Sequence, residues 1–429
     1  MTRESLQGAL EALYGQERRR DRLGLEGTRA LLAALGHPER AFRAVHVAGT
    51  NGKGSTCALV ERVLRAAGVR TGLFTSPHLV DFRERMRVDG RWADAAWLEA
   101  QLARIAALPE GRDRTFFEVA TALGFLDFAA RGAAWAVVEV GLGGRLDCTN
   151  VLAPEACAVT SIGLDHTEIL GATVDRIAWE KAGIAKPGVP LVVAEDAGAA
   201  FEVLAGVAAS RGAPLVRAAR QAPVWRTGPR TWRAATEAWG DLELEIGLGG
   251  AQGVNASVAL AVLETLAARG VALTRDAVRE GFARARWPGR FERAANEPRL
   301  WWDGAHNAHG TARLAAAWRA EGLPPARAVV FAASRDKDVA AMLAPLGAVC
   351  PARRLVATRT RSERAHDPAR VVEAARAAGW TADEAPDVPA ACRVALGAAG
   401  ADGVALLTGS LFAVGEAMET FGGAPGEQL

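Results

Sequence analysis

Lysine is nearly missing from this 429-residue chain, in which four (Lys53, Lys181, Lys186 and Lys337) stand against forty-seven arginines. Against that background a lysine is rarely placed by drift, and a compact ammonium fits inside a phosphate loop where a planar guanidinium does not. Cysteine is also scarce: Cys57, Cys148, Cys157, Cys350 and Cys392 are an odd, scattered set with no C-x-x-C, which argues against a disulfide framework and a zinc site. No uncharged stretch is long and apolar enough to span a bilayer, and Met1 to Gly15 carries Arg3, Glu4 and Glu11 with no apolar leader region. Neither a membrane span nor a secretory leader is expected, and the chain is assigned to the cytoplasm. Net charge is only +2 with the signs interspersed, so there is no electrostatic footprint for nucleic acid or an anionic membrane, and Arg18 to Arg20 reads as a solvated helix face. There is no internal repeat and no low-complexity linker. A monomer acting on small molecules is expected.

What is present is organised around one stretch, His46-Val47-Ala48-Gly49-Thr50-Asn51-Gly52-Lys53-Gly54-Ser55-Thr56. It closes an apolar run from Ala44 to Ala48 and opens a helical pattern through Leu59, Val60, Val63, Leu64 and Ala67. Three glycines let the backbone turn its N–H groups toward an anion, and the start of the helix adds its positive dipole end. Lys53 would reach the β/γ-phosphates, and Ser55 or Thr56 would offer a hydroxyl to Mg2+. The match to G-x-x-x-x-G-K-[ST] is imperfect, because Val47 occupies the first glycine position and Gly54 separates the lysine from the hydroxyl. A plain glycine turn is the competing reading, but it needs neither the lysine nor the paired hydroxyls.

Helical spacing over 4–14 and 28–35 precedes this first strand, and 70–74 reads as a second strand running into Thr75-Ser76-Pro77-His78. Helices are expected over 93–108 and up to Ala130, then a strand over 134–140 broken only by Glu139, a strand over 156–162, a helix over 174–184 and a strand over 189–194. Alternation in Leu242, Leu244 and Ile246 suggests short antiparallel strands within 220–250, followed by helices over 252–269 and 274–284. From Arg299 a second alternation begins, with strands at 300–302, 328–332, 355–357 and 404–407 and helices at 310–319, 338–346, 368–378, 388–399 and 411–420. The expectation is an α/β protein: a P-loop-containing, mainly parallel central sheet domain over 1–295, then a smaller doubly wound α/β C-terminal domain over 296–429.

Ser76, Glu139 and His166 each follow an apolar run in the same sheet as the phosphate loop, so they should converge beside it at the carboxyl edge. A carboxylate at the end of a buried strand is costly unless it binds a metal or is paired. Oxygens from Ser76 and Glu139 suit Mg2+, while an imidazole is a less usual partner for so hard an ion. Two plainer readings stay open: His166 as a capping or core residue, and Glu139 in a buried ion pair.

Six stretches in order, Gly49-Thr50-Asn51-Gly52-Lys53-Gly54-Ser55, Thr75-Ser76-Pro77-His78-Leu79, Glu139 to Asp147, Gly163-Leu164-Asp165-His166-Thr167, Glu180-Lys181-Ala182-Gly183-Ile184 and Asp303-Gly304-Ala305-His306-Asn307, together resemble the Mur-ligase superfamily. Within it they are most similar to the folylpolyglutamate synthase/dihydrofolate synthase family, from about Leu23 to Glu416. The resemblance implies that Ser76, Glu139 and His166 ligate magnesium, with one or two ions bound, and that Lys181 is carbamylated. It makes Lys53, Lys181 and His166 the catalytic set. It puts Thr50, Asn51, Gly52, Lys53, Gly54 and Ser55 on the phosphates, with Asn255 and Arg290 from the central domain and Asp303 and His306 from the C-terminal one. Phe117, Glu118, Leu146 and Asp147 match positions that contact the pterin-bearing substrate, and Gly24 and Leu25 lie in a loop lining the same pocket. The implied reaction transfers the ATP γ-phosphoryl group to a folate or dihydropteroate carboxylate, and L-glutamate then attacks the acyl phosphate. Arg290 just before the hinge implies domain closure on binding. Phe331-Ala332-Ala333-Ser334, in place of a more glycine-containing turn, and Cys148 after Asp147 depart from the family pattern.

Rival readings are a P-loop phosphotransferase with a stable phosphorylated product, and a nucleotide-binding module without turnover. A cell-wall ligase is a nearer rival, but only about forty-five residues precede the first strand, too few for that branch's extra domain.

Overall fold

The computed structural model describes residues 24–195 and 197–429, together with Gly8 and Leu10. The helix expected over 4–14 otherwise lies outside the described residues. The first sheet contains β1 (Arg43–Ala48), β2 (Thr71–Phe74), β3 (Met86–Val88), β4 (Arg91–Trp92), β5 (Trp135–Glu139), β6 (Ala156–Val159), β7 (Leu191–Val193) and β8 (Leu215–Arg217), in the order β4-β3-β2-β5-β1-β6-β7-β8. All pairings are parallel except those of β3, which runs antiparallel to β2 and β4. Strands β1 and β5 are near-continuous apolar runs because helices cover both faces of the sheet. β1 has β5 and β2 on one side and β6, β7 and β8 on the other, so the strand order reverses there and its carboxyl end is a topological switch point. The phosphate loop stands at that point.

On one face the Lys53–Ala66, Gly253–Ala268 and Arg275–Arg284 helices share a core with the sheet. Gly281 allows the closest approach: a Cβ there would come within 2.6 Å of the Val63 backbone. The opposite face carries the Phe116–Ala130 helix, opened by a capping box in which Thr115 and Glu118 satisfy each other's backbone N–H groups. Strands β9 (Val224–Arg226), β10 (Thr231–Thr236) and β11 (Gly240–Glu245) form the expected antiparallel meander, and β10 alternates buried and exposed positions.

The second sheet is β12 (Glu292–Arg293), β13 (Leu300–Trp302), β14 (Ala326–Phe331), β15 (Arg354–Ala357), β16 (Thr381–Glu384) and β17 (Val404–Thr408), in the order β12-β13-β17-β14-β15-β16. It is parallel except for β12 and has a core on each face. Because Glu292–Arg293 pairs with β13, the second sheet already takes in residues on the first-domain side of the expected 295/296 division. The helix Gly198–Ser210 and strands β3, β4, β8, β12 and β16 were not anticipated from the sequence. No helix among the described residues is long and apolar enough to cross a membrane.

Candidate active site

Strand β1 delivers the phosphate loop, and the exit of β6 holds it in place. Thr50 N donates to Ser161 O at 2.9 Å, Thr50 Oγ1 donates to Gly163 O at 3.0 Å, and Thr160 Oγ1 donates to Asn51 O at 2.9 Å. Gly52 has φ of 92° and packs so closely on Asn255 that a Cβ would meet its Oδ1 at 2.2 Å. Only glycine tolerates both conditions. Lys53 opens the following helix and donates from Nζ to Gly49 O at 3.1 Å and Thr50 O at 3.3 Å, curling its ammonium back over the loop. Asn255 donates from Nδ2 to Gln252 Oε1 at 2.8 Å, yet its Oδ1 is buried without a hydrogen-bond partner. An orphaned amide oxygen against the phosphate loop is a group set for a ligand. The donors gathered here fit a nucleotide.

Glu139 ends β5 directly behind this loop. Its Oε1 lies 4.0 Å from Lys53 Nζ, and Ser76 N donates to its Oε2 at 3.2 Å. Burial pushes its carboxyl up, against the pull of Lys53. A deeply buried carboxylate whose closest cation stands 4.0 Å away has room for more positive charge, and the Ser76 and Glu139 oxygens are a donor set that suits Mg2+. Both line a cleft with Gly54, Trp287, Arg290 and Leu411.

His166 sits elsewhere along the same edge. Its Nε2 is 3.9 Å from Asp165 Oδ1 and its Nδ1 is 3.8 Å from Asp336 Oδ2. Burial outweighs the two carboxylates and pulls its pKa down to about 4, so the ring is neutral at pH 7, the form that can ligate a metal. Ser76 and Glu139 are thus brought into contact, while the close partners of His166 are the two aspartates.

Asp165 is the hub of a seam between the two sheets. Lys337 Nζ lies 2.6 Å from Asp165 Oδ1 and 2.9 Å from Asp336 Oδ2, and Asn307 Nδ2 donates to Asp165 Oδ2 at 2.9 Å. His306 Nε2 is 3.7 Å from the same oxygen. Burial alone would raise the Asp165 carboxyl, but His306, His166 and the adjoining Lys337 ammonium together hold it below the usual carboxylate range. Asn307 also accepts from Asn51 Nδ2 at 3.0 Å, which ties the phosphate loop itself to the second domain. At the hinge, Asp303 accepts from Phe291 N at 3.0 Å and Ala305 N at 2.8 Å; burial raises its carboxyl and Arg290 opposes that. Sequence reasoning did not single out Lys337, Asp336 or Asn307 for these contacts. The rarity of lysine was the one available signal.

Lys181 is 5% exposed, and among the described residues its Nζ makes no hydrogen bond or ion pair. Burial, followed by the nearby Lys53 charge, pulls it down to about 7. The loop after β5 packs against the same helix: Arg145 N donates to Glu180 O at 2.8 Å, and Arg145 Nη2 lies 2.9 Å from Glu180 Oε1. Leu146 is half-buried in this loop. Both Asp147 oxygens are engaged internally, Oδ2 by Leu142 N at 2.8 Å and Oδ1 by Thr149 N at 3.0 Å. The half-buried Phe117 ring covers Gly141, where a Cβ would come within 2.3 Å of it, and presents a flat apolar wall beside the loop. Glu118 is committed to its cap and to Arg114, 3.2 Å away.

A switch-point phosphate loop facing a second α/β domain across a charged seam defines a nucleotide-dependent two-domain enzyme, and the sequence comparisons name its family. The Mur ligase middle domain pattern matches residues 47–263, and the Mur ligase, glutamate ligase domain pattern matches residues 289–411. The chain belongs to the Mur ligase family. It is 36% identical over 343 residues to the dihydrofolate synthase/folylpolyglutamate synthase of Bacillus subtilis (strain 168), covering 77% of this chain and 80% of that one. It superimposes on the structure of E. coli FolC in complex with DHPP and ADP with a TM-score of 0.84 and 32% identity, over 96% of this chain and 97% of that one. It also matches the bifunctional folylpolyglutamate synthase/dihydrofolate synthase of Yersinia pestis complexed with AMPPNP and Mn ion, with a TM-score of 0.83 and 30% identity over 96% and 97% of the two chains.

Proposed function

We propose that the chain is an ATP-dependent ligase that adds L-glutamate to folates, and to dihydropteroate, through an acyl phosphate. The observation that carries this reading is the hydrogen bond between Asn51 in the phosphate loop and Asn307 in the second domain. It opens the nucleotide site onto a second domain, as a reaction with three substrates requires. A carboxylate oxygen of the acceptor attacks the γ-phosphorus and ADP leaves. The glutamate amine then attacks the acyl carbon, loses a proton, and phosphate departs from the tetrahedral intermediate.

Positioning and charge neutralisation account for most of the barrier lowering in such transfers. Lys53 and the first N–H groups of its helix hold the phosphates, Asn255 and Arg290 fix the nucleotide from the central domain, and Asp303 and His306 close on it from the second. Ser76, Glu139 and His166 would hold Mg2+, which supplies positive charge to the transferring group when bound. Lys181, whose amine burial leaves partly neutral near pH 7, adds carbon dioxide through that neutral form: the N–C bond forms, a proton is lost, and a carboxylate replaces the amine. Phe117, Glu118, Leu146 and Asp147 frame the acceptor. Acting on these small molecules as a cytoplasmic monomer is in keeping with the balanced charge.

Phosphate release measured with ATP and each co-substrate tests the reading. Release that requires acceptor and glutamate together, with the acceptor gaining the mass of one glutamyl unit, is expected. A stable phosphoester made without glutamate contradicts it.

A further inference from the structure

His46 is fully buried in the middle of β1 and takes no part in the phosphate loop that β1 delivers. Its Nε2 lies 2.7 Å from Thr149 Oγ1, which in turn lies 2.5 Å from Asp147 Oδ1. A threonine hydroxyl has a single proton. Burial raises the Asp147 carboxyl, against the hydrogen bonds from Thr149 and Leu142 that favour its ionised form; in that form the proton goes to the carboxylate and Thr149 accepts from His46 Nε2–H. The other nitrogen, Nδ1, is left as a bare acceptor, and it is buried with no hydrogen-bond partner. An aliphatic side chain in this strand would avoid that unsatisfied nitrogen, so the imidazole persists at a local cost. What it gains is a hold on Thr149.

Alongside, Lys186 Nζ donates to Asn150 O at 3.0 Å and Oδ1 at 2.8 Å, and Asn150 Nδ2 donates to Arg145 O at 2.9 Å and Gly183 O at 3.1 Å. The 141–150 loop is therefore pinned from beneath at two successive residues, Thr149 and Asn150, and joined to the end of the Lys181 helix. We propose that His46 is a positioning residue for the acceptor loop, holding Asp147 in place through the Thr149 hydroxyl. This rests on the assignment of Leu146 and Asp147 to the pterin-bearing acceptor.

The test compares His46→Leu, His46→Gln, Thr149→Val and Asp147→Asn in the full chain, with KM for acceptor and for ATP measured separately. Loss of one buried hydrogen bond in His46→Leu is expected to raise the acceptor KM about tenfold while the ATP KM moves less than about twofold. His46→Gln, whose amide nitrogen reaches the Nε2 position, restores the acceptor KM. Thr149→Val matches His46→Leu, and the double variant is no worse than either single one, since both cut the same link. Should His46→Leu fail to fold, Thr149→Val and His46→Gln carry the comparison. A rise in both KM values together, or an unchanged acceptor KM in Thr149→Val while Asp147→Asn raises it, overturns the proposed link. An unchanged acceptor KM in Asp147→Asn removes the acceptor-loop assignment itself, and the proposal with it.

Discussion

Lys337 of the second domain places its ammonium 2.6 Å from the Asp165 carboxylate of the first, in a seam where both side chains are under a tenth exposed. A pair this well buried is set by geometry, and removing one partner strands the other. Lys337→Ala leaves Asp165 uncompensated at a cost of about 3–5 kcal/mol to the docked arrangement. We expect kcat/KM for ATP to fall at least about a hundredfold, since that loss spans more than two decades. Asp165→Asn combined with Lys337→Ala should be less damaging than the product of the singles. Steady-state kinetics on the four proteins check this.

The same seam gives a pH dependence. His166 and His306 each titrate at about 4 when folded, pulled down first by burial, against an ordinary 6.5. The unfolded chain thus binds more protons between those values, and stability falls as pH drops from about 6.5 toward 4. Asp165, held below its ordinary 3.8, contributes stability that is fully present above that value and is lost only in stronger acid. Thermal unfolding followed across this range should show a continuous decline in Tm below about pH 6.5. A flat profile down to pH 4 would place the histidines in contact with solvent.

Lys181 works in the opposite sense for stability and activity. Its folded value of about 7 against an ordinary 10.5 means that burial of the ammonium costs most below pH 7 and is relieved as pH rises toward 10.5. Lys181→Met should therefore raise Tm at pH 6, by about 3 °C. Lys181→Ala should lose most activity and recover part of it with small carboxylic acids, because a carbamate is a carboxylate in form. Full activity without rescue would leave the modification without a role.

Lys53→Ala removes the only ammonium curled over the phosphate loop among the described residues. Turnover should fall by roughly a thousandfold, the scale set by deleting a group that stabilises developing charge. Some stability should be lost as well, since besides the bonds to two loop carbonyls the buried Glu139 carboxylate loses the ammonium 4.0 Å away. ADP release and circular dichroism measured on the same sample separate the two effects.

Much of this fold could be read from local pattern. The β1 apolar run, the glycine loop and the periodic helix after it lie contiguous in the chain, and hydrophobic period alone separates strand from helix there. Gly198–Ser210 was missed because Ala197 offers no side-chain cap and the segment is alanine-rich on all sides. The two-residue β4 and the polar β16, Thr-Ala-Asp-Glu, carry too little alternation to announce themselves. At the site, motifs located Glu139 and Ser76 at strand ends, but one of the two partners of His166, Asp336, lies 170 residues onward. Lys337, Asn307 and Asp165 meet only because two separate sheets present their carboxyl edges to each other. A contact between domains has no local period to reveal it.

An acyl phosphate formed on the acceptor is the central step, and heavy-oxygen transfer tests it most directly. With the acceptor carboxylate labelled in both oxygens, ATP and L-glutamate supplied, and the released phosphate analysed by mass, one labelled oxygen should appear in each phosphate. Unlabelled phosphate, released alongside glutamylated product, would mean that the carboxylate never attacks phosphorus, and the mechanism assigned to Lys53, Lys181 and the seam would have to be abandoned.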